Sequence, residues 1–428
     1  MKDVKEGDIV KIKTSDEEIS GIILPSHEKD IVLVKLETGY NLGIEKKKIK
    51  KVTVTGHKKS ESFPEADAKQ KGNKPGIAMI VTGGTISSRL DYSTGAVKPL
   101  MSPQQLFFLA PKLFEMLKVN TIERPFNIFS ENMAPKHWQA LAKLIAELLN
   151  KKENKGVILT HGTDTLGYTA AALSFMLKNV NKPVVLTYSQ RSTDRGSTDT
   201  VLNLTCAGYA ALSDIAEVIL VGHASPNDTF CYALRGTKAR KMNTSRRDTF
   251  RPINELPIAE IYEDGKITTK SAFNKRDDKK KVIADTAFEE KVALIKYVPG
   301  ADPKILDYYL SEGYRGVIIE AVGLGHVSVG EGKENWAPHI KKATYKGMLV
   351  CFAPQTIYGR LDPYVYASGR ELLEAGAVYL EDMLGETAYV KLGWVLGHEK
   401  NHDKAKKLML TNIAGEINKR ISDDTFLF

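Results

Sequence analysis

The chain is 428 residues long with 42% hydrophobic and 26% charged residues, which excludes a disordered or fibrous protein and supplies enough apolar material for two or three domains. Its 61 Lys+Arg against 52 Asp+Glu leave a formal charge of +9, an excess that favours acidic partners without the density of a dedicated nucleic-acid binder. Three widely separated cysteines, Cys206, Cys231 and Cys351, exclude a disulfide framework or a thiolate zinc site.

In chain order, the charged amino-terminal stretch lacks the apolar core of a secretion signal, and no apolar run approaches the length of a membrane span, so a cytoplasmic location is expected. Alternating apolar and polar positions predict short strands at Asp8–Lys13, Ile19–Pro25, Ile31–Leu36 and Val52–Thr55. Strands of that length fit a small SH3-like β-barrel module over residues 1–55. The run Lys46–Lys51 gives the module a basic edge, which suits either contact with RNA phosphate or the solvated lysines that keep a strand edge from aggregating. Residues 56–74 are polar and nearly free of large apolar side chains, the composition of a linker.

Beyond Pro75 apolar runs alternate with helical periods: Ile77–Val81, Trp138–Leu149 as a helix, Gly156–Thr160, Leu166–Leu177 as a helix, Val184–Thr187 and Val218–Val221. This predicts an α/β domain over residues 75–275 around a mostly parallel sheet covered on both faces. The charged stretch Asp264–Glu290, with KRDDKKK at Lys275–Lys281, marks a second boundary. Strands at Val292–Tyr297, Gly316–Glu320 and Met348–Phe352, with helices near Pro303–Ser311, Trp336–Lys346 and Tyr366–Ala375, predict a smaller α/β domain over residues 290–428.

Ligands of open parallel sheets bind outside the carboxyl ends of the strands, and three segments lie where such a site would form. The first is TGGTI, Thr82–Ile86, whose glycines let backbone N–H groups approach a ligand, although a tight strand-to-helix turn would read the same. HGTDT, His161–Thr165, places hydroxyls at a helix start, which serves equally for N-capping and for attack on a carbonyl beside free N–H donors. The third, RGTKARKMNT at Arg235–Thr244, reads as a basic loop in which one lysine at most can serve catalysis.

Together these motifs resemble the L-asparaginase/glutaminase amidohydrolases, which use threonine nucleophiles. Asp91–Val97 resembles that family's active-site loop and Ser130–Met133 its substrate-binding segment. The resemblance implies Thr85 as primary nucleophile, Tyr92 as the loop tyrosine that helps to activate it, and Thr163, Asp164 and Lys241 as a Thr-Asp-Lys triad. It also implies that Ser130, Glu131 and Asp164 hold the substrate's α-amino and α-carboxylate groups, with Gly84 and Gly162 lining the same site. The fit of Asn243-Thr244 favours Lys241 over Lys238.

Gln190–Arg195, Ser197–Asp199, Arg246–Asp248, Gln355–Arg360 and Leu380–Gly397 are similar to the D-subunit branch of archaeal glutamyl-tRNA(Gln) amidotransferases. That resemblance implies a glutaminase that frees ammonia for an E subunit, which activates Glu-tRNA(Gln) with ATP and magnesium. It further implies a homodimer, a heterotetramer with the partner, and no cofactor or metal on this chain. Neither a phosphate-binding loop nor a kinase motif is present. A stand-alone L-asparaginase and a non-catalytic RNA-binding or assembly protein are the alternative readings.

Overall fold

The computed structural model describes residues 4–26, 28–57, 74–87, 89–90, 97–98, 110–193 and 195–427. The amino-terminal module contains β1 (Asp8–Lys13), β2 (Glu18–Leu24), β3 (Ile31–Leu36), β4 (Asn41–Glu45) and β5 (Lys51–His57). They form an antiparallel sheet in the order β4-β3-β2-β1-β5. Alternation drives it: Val10, Ile12, Val32 and Val34 point into a small core with Ile19 and Ile44, while the intervening residues face out. Among the described residues β4 and β5 are the edge strands, and no pairing between them closes a barrel. β5 runs two residues into the stretch read as linker; residues 58–73 lie outside the described chain.

The large domain is built on β6 (Gly76–Val81), β7 (Lys118–Glu123), β8 (Asn154–Thr160), β9 (Val184–Thr187), β10 (Val218–His223) and β11 (Phe230–Arg235). A ribbon of β12 (Ala239–Lys241) and β13 (Phe250–Pro252) follows, then β14 (Ala259–Tyr262) and β15 (Ile267–Thr269). The eight-stranded sheet runs β15-β14-β11-β10-β9-β8-β6-β7, parallel from β10 to β7 and antiparallel from β11 to β15. β6, β9 and β10 are buried along their whole length, which explains their unbroken apolar runs.

Successive residues of these strands feed opposite faces. Ala78, Ile80, Val157 and Leu159 pack under the helices Pro135–Asn150 and Leu166–Met176, whereas Ile77, Met79 and Ile158 meet the helix Thr200–Leu212. Each fully buried leucine or isoleucine contributes roughly 1.5–3 kcal/mol.

The carboxyl-terminal domain has a parallel sheet of β16 (Val292–Lys296), β17 (Gly316–Ala321), β18 (Leu349–Pro354) and β19 (Val378–Tyr379). The helix Gly385–His398 lies between the two domains, with Trp394 stacked on Phe175 of the large domain at 6.1 Å between ring centres. One apolar core therefore crosses the sequence boundary. Among the described residues no helix is long and apolar enough to cross a membrane.

Candidate active site

The carboxyl ends of β6 and β8 lie side by side, because the two strands pair in parallel with Val81 opposite Thr160. The Thr82 hydroxyl donates to the Thr160 carbonyl at 2.9 Å and ties the two exits together. Beyond them the chains nearly touch: a Cβ at Gly84 would stand 2.4 Å from the Gly162 nitrogen, and a Cβ at Gly162 would stand 2.8 Å from Ser130 Oγ. Gly84 also holds φ at +79°, a conformation that a side chain disfavours. Glycines are thus required at both positions before any ligand is considered. Thr85 opens a short 3-10 turn, Thr85–Ser87, directly after this contact.

His161 is wholly buried and sits in a directed chain of donors. Trp138 Nε1 donates to Thr169 Oγ1 at 3.1 Å, that hydroxyl donates to His161 Nε2 at 2.9 Å, and His161 Nδ1 donates to the Gly162 carbonyl at 2.6 Å. Burial pushes the His161 imidazole down to about 4, so it stays neutral and keeps the Nδ1–H tautomer that this chain demands. Sequence reasoning left His161, Trp138 and Thr169 without a role. The available signal was a histidine directly after an apolar strand, eight residues before a threonine in an apolar helix.

Thr163 is 8% exposed. Its Oγ1 accepts a hydrogen bond from Lys241 Nζ at 2.9 Å, and the same ammonium contacts Asp164 Oδ1 at 2.7 Å. Helix capping does not account for this turn: Thr165, at the N-cap of Leu166–Met176, sends its hydroxyl to the Ser130 carbonyl at 2.6 Å, and Asp164 turns to the lysine. Ser130 accepts the Asp164 N–H at 3.1 Å, so the substrate-binding segment and the HGTDT turn are one unit. Glu131 is exposed beside it in the turn Ser130–Asn132.

The stretch read as a basic loop is instead a tight turn followed by a strand. Lys241 lies on β12 opposite Phe250 of β13, a pairing partner too distant in sequence for local patterns to reveal. Lys238 points elsewhere, to Asp382 at 2.8 Å, with both side chains fully buried. Tyr92 and the rest of residues 91–96 lie outside the described chain. Glu131, Asp164, Thr163, Lys241, Gly84 and Thr85 are thus gathered at the carboxyl ends of β6 and β8 and at the β12 ribbon. Among the described residues no group of three or more His, Cys, Asp or Glu is arranged to hold a metal ion.

Comparison with known proteins bears on the family and the fold. Residues 76–274 match the family described as "Asparaginase, N-terminal", residues 291–409 the "Glutaminase/Asparaginase C-terminal domain", and residues 4–55 the "GatD N-terminal domain". The D subunit of the glutamyl-tRNA(Gln) amidotransferase of Pyrococcus furiosus is 47% identical, covering 100% of this chain and 98% of its own. The Sulfolobus acidocaldarius protein of that name is 42% identical over 96% of this chain and 91% of its own. Among solved structures, the thermostable L-asparaginase from Thermococcus kodakarensis superimposes with a TM-score of 0.72 at 26% identity, covering 81% of this chain and 100% of that one. L-asparaginase I from Vibrio cholerae gives 0.69 at 26% identity, with the same coverage.

Proposed function

The chain belongs to the family of glutamyl-tRNA(Gln) amidotransferase D subunits, within the asparaginase/glutaminase proteins, and from that membership we propose how its residues work. It is the glutaminase subunit of a tRNA-dependent amidotransferase, supplying ammonia to an E subunit that converts Glu-tRNA(Gln) to Gln-tRNA(Gln). The observation that carries the residue assignment is the Lys241 ammonium held between Thr163 Oγ1 and Asp164 Oδ1.

A primary carboxamide is a weak electrophile with a poor leaving group, so its hydrolysis needs an activated nucleophile, an oxyanion site and a proton for the departing nitrogen. Thr85 Oγ1 attacks the side-chain carbonyl carbon of glutamine, with Tyr92 helping to take its proton. Backbone N–H groups of the Gly162–Thr163 turn stabilise the oxyanion, aided by the positive end of the helix that follows. The C–N bond then breaks, the nitrogen leaves with a proton as ammonia, and an ester to Thr85 remains. Water activated through Thr163 and Lys241 cleaves that ester to glutamate. Asp164, whose carboxylate is 63% exposed, takes the substrate's α-ammonium, and Ser130, Glu131 and Asp164 together hold its α-amino and α-carboxylate groups, while Gly84 and Gly162 line the site.

We place the ATP and magnesium chemistry on the E subunit, and we propose a homodimeric core that forms a heterotetramer with it in the cytoplasm. Closure of the amino-terminal sheet into a barrel belongs to the same reading. Ammonia protonates in bulk water and loses its nucleophilicity, which favours a protected passage to the partner. The test is ammonia release from glutamine and from asparagine, with and without the E subunit and Glu-tRNA(Gln). Glutamine turnover stimulated by partner and tRNA is expected; full activity on asparagine, unchanged by either, would instead identify a stand-alone L-asparaginase.

A further inference from the structure

The amino-terminal module meets the large domain through the turn joining β3 to β4. The Tyr40 hydroxyl lies 3.0 Å from Ser197 Oγ and accepts an N–H of Arg191 at 3.0 Å, while Arg191 also donates to Ser197 Oγ. The Arg195 guanidinium stands 5.9 Å from the centre of the Tyr40 ring, a cation–π distance. Gly39 makes this approach feasible: its φ is +85°, and a Cβ there would come within 2.8 Å of the Arg195 Cα. The contact is therefore fitted on both sides.

What Tyr40 grips is connected to the catalytic groups. Arg191 follows β9 closely, and the intervening backbone is pinned by the fully buried Asp199 carboxylate, which accepts the N–H groups of Gln190 at 2.9 Å and Arg191 at 3.0 Å and the Ser189 hydroxyl at 2.8 Å. At the end of β9 the Thr187 carbonyl accepts the His161 N–H at 3.0 Å, which holds the base of the HGTDT turn. The next residue, Tyr188, is buried against Phe250 with 4.9 Å between ring centres, and its hydroxyl donates to the Arg247 carbonyl at 3.0 Å. Phe250 pairs with Lys241 across the ribbon. Thr187 thus holds His161, two residues before Thr163, Tyr188 packs on the strand partner of Lys241, and Arg191 lies three residues beyond Tyr188.

We propose that Tyr40 is a positioning residue: by gripping Arg191 and Ser197, the amino-terminal module sets the segment that registers the HGTDT turn against the Lys241 ribbon, and so tunes ammonia release from outside the two amidohydrolase domains. The kinetic consequence rests on the glutaminase reading; the mechanical one does not. A shift of a fraction of an ångström between nucleophilic and proton-relaying groups is enough to slow an oriented reaction.

The experiment compares the full chain with its Tyr40→Phe and Ser197→Ala variants, singly and together, by glutaminase kinetics, melting temperature and deuterium uptake. Tyr40→Phe removes one hydroxyl from an exposed turn and leaves the fold intact. The expected result is a fall in kcat of at least about fivefold at unchanged melting temperature, the scale of ordinary coupling between sites. Faster exchange at the Gln190 and Arg191 amides, and a double variant no worse than the single ones, complete the expected result. Unchanged kcat with unchanged exchange overturns the proposal, as does a loss of kcat matched by a lower melting temperature. If the wild-type chain fails to hydrolyse glutamine even with the E subunit and Glu-tRNA(Gln) present, the glutaminase reading falls, and the exchange measurement alone decides the mechanical claim.

Discussion

Lys241 serves two acceptors, and their burial differs: Thr163 is almost closed off, whereas the Asp164 carboxylate is 63% exposed. A lysine so placed contributes little to stability, because an ion pair with an exposed partner is worth about 0–1 kcal/mol. Lys241→Met is therefore expected to leave the urea midpoint nearly unchanged while lowering kcat for glutamine by about 10²-fold or more, the usual loss when a proton-relaying group is removed. Thr85→Ala should abolish glutamine hydrolysis by about 10⁴-fold or more, yet the complex should still amidate Glu-tRNA(Gln) from free ammonium. Ammonia release at wild-type rate by that variant would sink the assignment of Thr85. His161 makes a different prediction. Its folded pKa of about 4 lies below the ordinary value of 6.5, so between those values the unfolded chain binds the extra proton. Stability present above pH 6.5 is lost as pH falls towards 4, by about 3 kcal/mol for this one residue. Urea titrations at pH 7 and pH 4.5 should show that loss in the wild type and a flatter dependence in His161→Gln; equal slopes would remove the buried imidazole as its cause.

At the level of elements, the site depends on two strand exits packed backbone to backbone. Gly84→Ala places a Cβ 2.4 Å from the Gly162 nitrogen at φ +79°, a combined steric and conformational strain of about 1–3 kcal/mol. Activity should fall with stability in that variant, since relief of the clash has to move either Thr85 or Thr163; a melting temperature and kcat both equal to wild type would contradict the contact. The strands that carry these turns were legible in the sequence because they are buried on both faces: Ile77–Val81, Gly156–Thr160 and Val184–Thr187 read directly as apolar runs. β4, NLGIE, was not, since four of its five residues are partly or wholly exposed and among the described residues it pairs along one edge only. The β12–β13 ribbon was also obscure, because among the described residues its two short strands pair only with each other. HGTDT and TGGTI were readable as motifs, whereas the His161 donor chain was not, since it runs through Trp138 and Thr169 on two different helices.

For the whole molecule, the domains read from composition as separate share a core, and a buried knot joins them. Lys238 and Asp382 pair at 2.8 Å with both side chains fully buried, and Asn418 donates to the same carboxylate at 2.8 Å and 2.9 Å. Around them the Thr387 hydroxyl donates to the Thr237 carbonyl and the Thr237 hydroxyl to the Ala414 carbonyl. Lys238→Met, which strands the carboxylate, should cost about 3–5 kcal/mol, visible as a lower urea midpoint, with kcat of the remaining folded enzyme close to wild type. A variant as stable as the wild type would show the pair to be dispensable. The knot also has a mechanical consequence. Any hinge that parted the two domains would have to separate a desolvated lysine from its carboxylate at every turnover, a cost that disfavours opening along this seam. Access for a substrate is then favoured at the loops at the carboxyl ends of the strands, where the candidate site residues lie, over a parting of the two domains.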